Sequence, residues 1–342
     1  MRTLVTGGAG YIGSHAVQRL LRDGHEVVVL DNLFRGHRAP IELLEPEAGG
    51  RLSFVQGDIG DRPLVEGILH KHQITTVMHF AALTYVGESV QQPLSYYRNN
   101  TAAALSLIEA CDATGVDRFV FSSTAATYGE PPASEIPIRE TCPTNPINPY
   151  GASKLAVERI LDDWTAARQA AGKPVAFAAL RYFNVAGCDR SGLLGEDHEP
   201  ETHLIPVVLE AVLGKREAIT IFGTDYDTPD GTCVRDYVHV EDLVDAHVAV
   251  LNALQPGDRR RYNLGIGKGY SVREIIESVK RVTSRPFEIR EGTRRPGDPP
   301  TLYADPAAIQ RDLNWRAQIT DIDEIVESAW RWFRDHPAGY AP

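Results

Sequence analysis

The sequence of 342 residues predicts an α/β fold, a doubly wound parallel sheet with a smaller mixed α/β C-terminal lobe. Three observations carry that expectation. Short β-branched runs alternate with helix-length segments through the first half, a glycine-rich turn stands directly between the first strand and the first helix, and the rhythm breaks near Cys188, after which Gly, Pro, Asp and Glu dominate residues 189–202. Length alone suffices for about two domains of roughly 150 residues. Hydrophobic residues at 43% and charged residues at 24% exclude the disordered and fibrous classes.

In chain order, residues 3–6, 27–31, 52–58, 76–80, 119–123 and 175–181 read as strands, apolar on both faces as the strands of a covered parallel sheet must be. Parallel strands need long crossovers, and the segments 14–23, 62–71, 101–114 and 150–170 are long enough to supply them as helices. Residues 1–187 are therefore read as one domain. Apolar residues at helical spacing over 235–254, then 261–264, predict a return to that domain as one more helix and strand, so that about 235–265 completes it. Residues 188–342 make the smaller lobe, and with no Gly/Ser linker the two are expected to pack around a shared cleft.

A formal net charge of −11 with dispersed acidic residues makes nucleic acid an unexpected partner, although a few arginines can still focus potential on an anionic small ligand. Cys111, Cys142, Cys188 and Cys233 form no CxxC pair, and no His stands at metal-ligand spacing, so buried thiols and no metal are expected. The chain passes from Met1-Arg2 straight into its first strand and has no apolar run of membrane-spanning length. Those features predict a cytoplasmic protein without a membrane partner.

The glycine turn is Thr6-Gly7-Gly8-Ala9-Gly10-Tyr11-Ile12-Gly13-Ser14. Glycines there permit a tight turn and let backbone N–H groups reach a pyrophosphate, whose charge the start of the following helix favours. Asp31 closes the second strand at the distance where an acidic residue would accept the adenosine ribose hydroxyls and repel a 2′-phosphate, which points to NAD in a Rossmann-type domain. Arg35 and Arg38 read as solvated loop cations. Gly57-Asp58-Ile59 and Phe80-Ala81-Ala82 add small and polar residues at further strand ends, where ligands bind in such sheets.

Asn148-Pro149-Tyr150-Gly151-Ala152-Ser153-Lys154 places a Tyr and a Lys four residues apart behind a helix cap and a first-turn proline. An ammonium, a helix dipole and a nicotinamide cation beside that phenol are expected to lower its pKa into a range useful for proton transfer from a hydroxyl. Phe121-Ser122-Ser123-Thr124 ends a strand and brings the Thr124 hydroxyl to the carboxyl edge of the sheet. His79, inside an apolar run, and Trp164 read as packing residues.

Together these residues resemble the extended short-chain dehydrogenase/reductase superfamily. Residues 6–15 (TGGAGYIGSH), 80–89 (FAALTYVGES), 181–184 (RYFN), 195–197 (GED) and 231–239 (GTCVRDYVH) make the chain similar, over essentially its whole length, to the nucleotide-sugar 4-epimerases of that superfamily. The resemblance implies that Tyr150 is the acid/base on the sugar 4-hydroxyl, that Lys154 tunes it and holds the nicotinamide ribose, and that Thr124 hydrogen-bonds the reacting oxygen. It implies a tightly bound NAD held by Gly7, Gly10, Tyr11, Ile12, Gly13, Asp31, Asn32, Asp58, Ile59, Phe80, Ala81, Ala82, Asn99, Ser122 and Tyr182 besides the catalytic pair. For the UDP-sugar substrate it implies Thr84, Asn184, His203, Leu204, Phe222, Arg235, Arg295, Asp298 and Leu302, with the arginines on the diphosphate. The implied reaction interconverts UDP-galactose and UDP-glucose: hydride leaves C4, the 4-keto sugar rotates, and hydride returns to the opposite face. A homodimer pairing the outer faces of the 101–114 and 150–170 helices is implied as well.

Thr84 and His203 stand where other members carry Lys and Asn, and Leu302 stands at a position linked to acceptance of N-acetylated sugars. Epimerisation of UDP-N-acetylated or UDP-pentose sugars is therefore the nearest alternative. A 4,6-dehydratase would need acid and base groups after the Thr, where Ala125 and Ala126 offer only methyls. A non-catalytic nucleotide-binding regulator is disfavoured by the presence of both Tyr150 and Lys154.

Overall fold

The computed structural model describes residues 1–295 and 299–340. In chain order its regular elements are β1 (Arg2–Thr6), α1 (Tyr11–Arg22), β2 (Glu26–Asp31), α2 (Ala39–Ala48), β3 (Leu52–Gln56), α3 (Arg62–Lys71), β4 (Thr76–His79), α4 (Val86–Gln91), α5 (Pro93–Tyr96), α6 (Ala103–Thr114), β5 (Arg118–Ser122), α7 (Pro149–Ala170), β6 (Ala176–Tyr182) and β7 (Asn184–Ala186). There follow α8 (Leu204–Val212), β8 (Ala218–Phe222), β9 (Val234–Arg235), β10 (Tyr237–His239), α9 (Val240–Ala253), β11 (Arg259–Leu264), β12 (Tyr270–Ser271), α10 (Val272–Thr283), β13 (Glu288–Gly292), β14 (Thr301–Leu302), α11 (Ala307–Leu313) and α12 (Ile322–Asp335).

The main sheet has the order β11-β6-β5-β4-β1-β2-β3. Strands β1 to β6 run parallel, with Val5 beside Val29 on one side and Met78 on the other. The strand order reverses at β1, so the turn after β1 and the carboxyl ends of β4 and β5 flank the switch point where such sheets bind ligands. Val65 of α3, Leu107 of α6 and Leu161 of α7 join Leu4, Val77 and Phe121 of the sheet in one apolar core. Burying each such side chain contributes about 1.5–3 kcal/mol. Helix α6 is entered through a π-helical turn, Tyr97–Ala102, and leaves through Gly115 at φ 82°, a left-handed residue that glycine supplies at no steric cost.

Two compact units divide the chain: Met1–Glu130, Pro143–Arg181 and Val244–Tyr262 form the first, and Pro131–Cys142, Tyr182–Leu243 and Asn263–Pro342 form the second. The expected domain boundary differs in three respects. The division falls at Arg181 and not after 187, the returning segment begins at Val244, and residues 131–142 group with the second unit. Hydrogen bonds explain the last point. Asn263 Nδ2 donates to Ile138 O at 2.8 Å, the Asn263 N–H donates to the Glu140 carboxylate at 2.7 Å, and Ile138 bridges Ala304.

The expected helix over 235–254 is corrected as well. Residues 237–239 form β10, paired with β7, and Arg235 lies in β9 between β12 and β14; the helix starts only at Val240. Cross-strand pairing overrides the local helical pattern there. The second unit is built on this three-stranded sheet, on the β13-β8 and β10-β7 pairs, and on a core in which Leu209, Ile221, Ile275, Val279, Ile325 and Trp332 meet. Asp236, fully buried, accepts backbone N–H groups from Ile266 at 2.9 Å, Gly267 at 3.3 Å and Ala304 at 3.2 Å, and so ties β9 to two loops.

Candidate active site

The turn after β1 has the form a dinucleotide requires. Gly7 adopts φ +71°, and a Cβ there would lie 2.5 Å from Ala81 N; a Cβ on Gly13 would lie 2.1 Å from Gly7 O. Both glycines are fixed by backbone packing. Gly10 differs, because a Cβ on it would meet only Gly7 O, at 3.4 Å. The face of Gly10 at the start of α1 is thus an open cradle, which fits a pyrophosphate. Tyr11 and Ile12 open the helix, and Ile59 is buried after β3.

Asp31 is buried, its Oδ2 accepting from Ala9 N at 3.0 Å and its Oδ1 from Leu33 N at 2.8 Å. Burial raises its pKa against those two bonds. Each oxygen keeps a lone pair for a ribose hydroxyl. Asn32 Nδ2 donates to Asp58 Oδ2 at 3.0 Å, joining two of the predicted residues. Arg35 pairs with Glu88 at 3.0 Å and lies over the Tyr85 ring, while Arg38 pairs with Glu42 and Glu45. Both cations are engaged by carboxylates, which matches a site for NAD without a 2′-phosphate.

Asn148 caps α7 by accepting from Gly151 N at 2.9 Å, and Pro149 occupies the first turn. That start places Tyr150 and Lys154 one turn apart on one helix face. The Lys154 ammonium is fully buried; it donates to Ser122 O at 2.9 Å and lies 5.0 Å from the centre of the Phe121 ring. One acceptor satisfies one of its three N–H groups, and two remain for ribose hydroxyls. Burial lowers its pKa to about 7. His79 feels the same burial and the Lys154 charge, is held near 3, and shares a 2.7 Å hydrogen bond with Thr6 Oγ1, so it is a neutral packing residue.

Thr124 follows β5, hydrogen-bonds the Tyr150 phenol, and its Oγ1 accepts from Ala126 N at 3.1 Å. The expected lowering of the Tyr150 pKa is corrected for this chain by itself. Burial raises it, and the Thr124 hydrogen bond only partly opposes the rise. The pyridinium charge counted in that expectation belongs to NAD.

The loop after β4 carries Phe80, Ala81, Ala82 and the exposed Thr84. Asn100 holds it: its Oδ1 accepts from Leu83 N at 2.8 Å and from Asn99 Nδ2 at 3.0 Å, and its Nδ2 donates to Leu83 O at 2.9 Å and to Ser153 Oγ at 3.1 Å. Asn100 and Ser153 were missed in the sequence; only the closeness of Ser153 to Tyr150 could have suggested them.

The second unit carries the remaining predicted residues. Leu302 and Arg235 are cross-strand partners, and Asn184 donates from its N–H and its Nδ2 to Asp236 O, at 3.1 and 3.2 Å. Arg295 lies 4.0 Å over the Phe222 ring. Tyr182 is buried at the end of β6. Leu204 starts α8, with His203 at its cap. Asp298 lies outside the described residues. The sequence shows no His at metal-ligand spacing and predicts no metal; in the structure Glu196, His198, Glu201 and His203 converge. Burial disfavours the imidazolium forms, but bonds to the carboxylates outweigh it and push His198 up to about 9 and His203 to about 10. Among the described residues no helix is long and apolar enough to cross a membrane.

The switch-point glycine cradle, Asp31 and the Thr–Tyr–Lys group define a nicotinamide-dependent enzyme of the short-chain dehydrogenase/reductase type. The profile of the NAD dependent epimerase/dehydratase family matches residues 3–265, and the chain belongs to that family. It is 47% identical to a UDP-glucose 4-epimerase of Halalkalibacterium halodurans, over 100% of this chain and 98% of that one. A probable UDP-arabinose 4-epimerase of Oryza sativa is 46% identical, over 98% of this chain and 83% of that one. A UDP-glucose 4-epimerase from Bifidobacterium longum, solved with NAD+ and UDP, superposes with a TM-score of 0.93 at 39% identity, covering 99% and 100% of the two chains.

Proposed function

We infer that this chain is a UDP-glucose 4-epimerase, interconverting UDP-galactose and UDP-glucose. The observation that carries the reading is the hydrogen-bonded Thr124–Tyr150 pair beside the buried Lys154, on the first unit that also carries the glycine cradle. NAD, when bound, supplies a reversible hydride acceptor, so oxidation of C4 and reduction from the other face need no external redox partner. Tyr150 takes and returns the proton of the 4-hydroxyl. Thr124 holds the reacting oxygen against the phenol. Lys154 gives its two remaining N–H groups to the ribose and, once charged there, favours the phenolate. Ala125 and Ala126, in the 3-10 turn after Thr124, carry no proton and leave a dehydratase without its acid.

The substrate residues proposed in the second unit are Asn184, Leu204, Phe222, Arg235, Arg295 and Leu302, with the guanidiniums meeting the diphosphate. The identity to a probable UDP-arabinose 4-epimerase favours a UDP-pentose as the second candidate substrate. A homodimer is part of the reading, supported by exposed apolar residues on neighbouring elements: Val86, Val90, Leu94, Tyr97 and Leu105. Leu155 and Leu161 of α7 are buried and lie outside that exposed group. A cytoplasmic location is consistent with four buried cysteines that are not joined in disulfides.

The experiment is incubation of the purified protein, without added cofactor, with UDP-galactose, UDP-N-acetylgalactosamine and UDP-xylose separately, followed by NMR. Conversion of UDP-galactose to UDP-glucose is expected. No conversion of any of them, even with NAD+ added, overturns the reading.

A further inference from the structure

We propose that Glu196, His198, Glu201 and His203 form a binding site for a divalent cation of the zinc class, placed at the entry to α8. The inference stands apart from the catalytic reading, because it rests on side chains with no part in the proton transfer.

One ligand atom from each of the four residues lies within 4.8 Å of the other three. Glu196 Oε1 stands 3.3 Å from His198 Nδ1 and 3.2 Å from His203 Nδ1; Glu201 Oε2 stands 3.5 Å from His198 Nδ1, and its Oε1 stands 2.8 Å from His203 Nδ1. Ligands about 2.0–2.1 Å from a tetrahedral ion are separated from one another by about 3.3–3.4 Å. The Glu196–His198, Glu196–His203 and Glu201 Oε2–His198 separations lie within about 0.2 Å of that length. Glu201 Oε1 is taken up by His203 and two backbone N–H groups, so Oε2 is the oxygen that residue offers to an ion.

The donor set chooses the metal. Magnesium and calcium seek six or more oxygens, whereas two imidazoles with two carboxylates suit zinc and the late first-row ions. Charge agrees. Glu196 and Glu201 are 3% and 8% exposed and are balanced by the two imidazoles beside them. A dication with two neutral imidazoles keeps the same balance, with two protons released on binding. A cavity of about 30 Å³ beside the cluster is lined by Glu196, His198 and Glu201 together with Glu210, Lys215 and Trp332, while His203 does not line it.

The loop is held for the purpose before any ion arrives. Glu201 Oε1 accepts from the N–H groups of Thr202 at 2.6 Å and His203 at 2.7 Å, so the carboxylate that faces both imidazoles is oriented by its own backbone. All four ligands fall within eight residues that run directly into α8. An ion there clamps the loop to the helix and fixes the position of Leu204.

The test uses the NAD-loaded protein after treatment with a chelator. Zn2+ is titrated by calorimetry, and Co2+ is added separately to read coordination from its visible absorption. Expected are one equivalent of Zn2+ per chain, the strong absorption of four-coordinate Co2+ that Zn2+ abolishes, and an affinity lower by about tenfold or more in His198→Gln. Absence of saturable binding, a weak six-coordinate Co2+ spectrum, or unchanged affinity in a folded His198→Gln would overturn the site. Should that variant fail to fold, the Co2+ spectrum of the parent protein decides alone.

Discussion

Alanine at Gly10 and alanine at Gly13 should have opposite consequences, although both glycines belong to the same turn. A Cβ on Gly13 would sit 2.1 Å from Gly7 O and 2.8 Å from its carbonyl carbon, more than an ångström inside van der Waals contact with backbone that cannot swing away. Gly13→Ala therefore costs about 3 kcal/mol, the upper end for overpacking. In a chain of this size that lowers the melting temperature of the cofactor-stripped protein by about 4 °C. Gly10 has extended backbone, φ −86° and ψ 177°, and its Cβ would meet only one atom, at 3.4 Å. Gly10→Ala thus costs about 0.5 kcal/mol as a weaker helix cap and leaves melting nearly unchanged. Its methyl occupies the cradle instead, so NAD affinity falls by about tenfold to a hundredfold, the overpacking cost read as binding. Thermal melting of stripped protein and calorimetric titration with NAD+ separate the two effects. Parent-like NAD affinity in Gly10→Ala would refute the placement of the pyrophosphate.

Tyr150→Phe is expected to keep the fold and NAD, because the ring retains its edge contact with Tyr96 at 6.5 Å, while turnover of UDP-galactose drops by about 10²–10⁴ with the proton-transfer group gone. Activity within a few-fold of the parent in the NMR assay would remove Tyr150 from the role of base. Lys154 makes a pH prediction. Burial holds it near 7 in the folded chain, below the roughly 10.4 of an unfolded lysine, so the unfolded state binds the extra proton and stability rises with pH between about 7 and 10. That stability is lost again as pH falls towards 7. Denaturant melts of stripped protein at pH 7 and 9 should show this slope, up to about 1.4 kcal/mol per pH unit, and Lys154→Met should flatten it; equal slopes in the two proteins would exclude a depressed lysine.

What could be read in the sequence is what short-range chemistry controls. The glycine turn, Asp31 at the end of its strand, and the Asn148-Pro149 start that aligns Tyr150 with Lys154 each depend on neighbours within a few residues, and each stands where the pattern puts it. Residue pairs brought together by the fold were harder to see. Nothing local in 235–239 tells that Arg235 will pair with Tyr270 and Leu302 as a strand, so its apolar spacing reads as helix. Residues 131–142 join the second unit through Asn263 and Ala304, more than a hundred positions away. The Tyr150 pKa was misread for a related reason: the sequence displays the charges beside a phenol but not its loss of water, and burial is the larger effect here. The cluster at Glu196–His203 shows the limit from the other side. Its four ligands are close in sequence, but two, three and two positions apart they match no regular element face, and only the loop bend before α8 makes their donor atoms converge. Recognition of such a site from sequence needs the loop conformation, which here is set by a carboxylate bonding its own backbone.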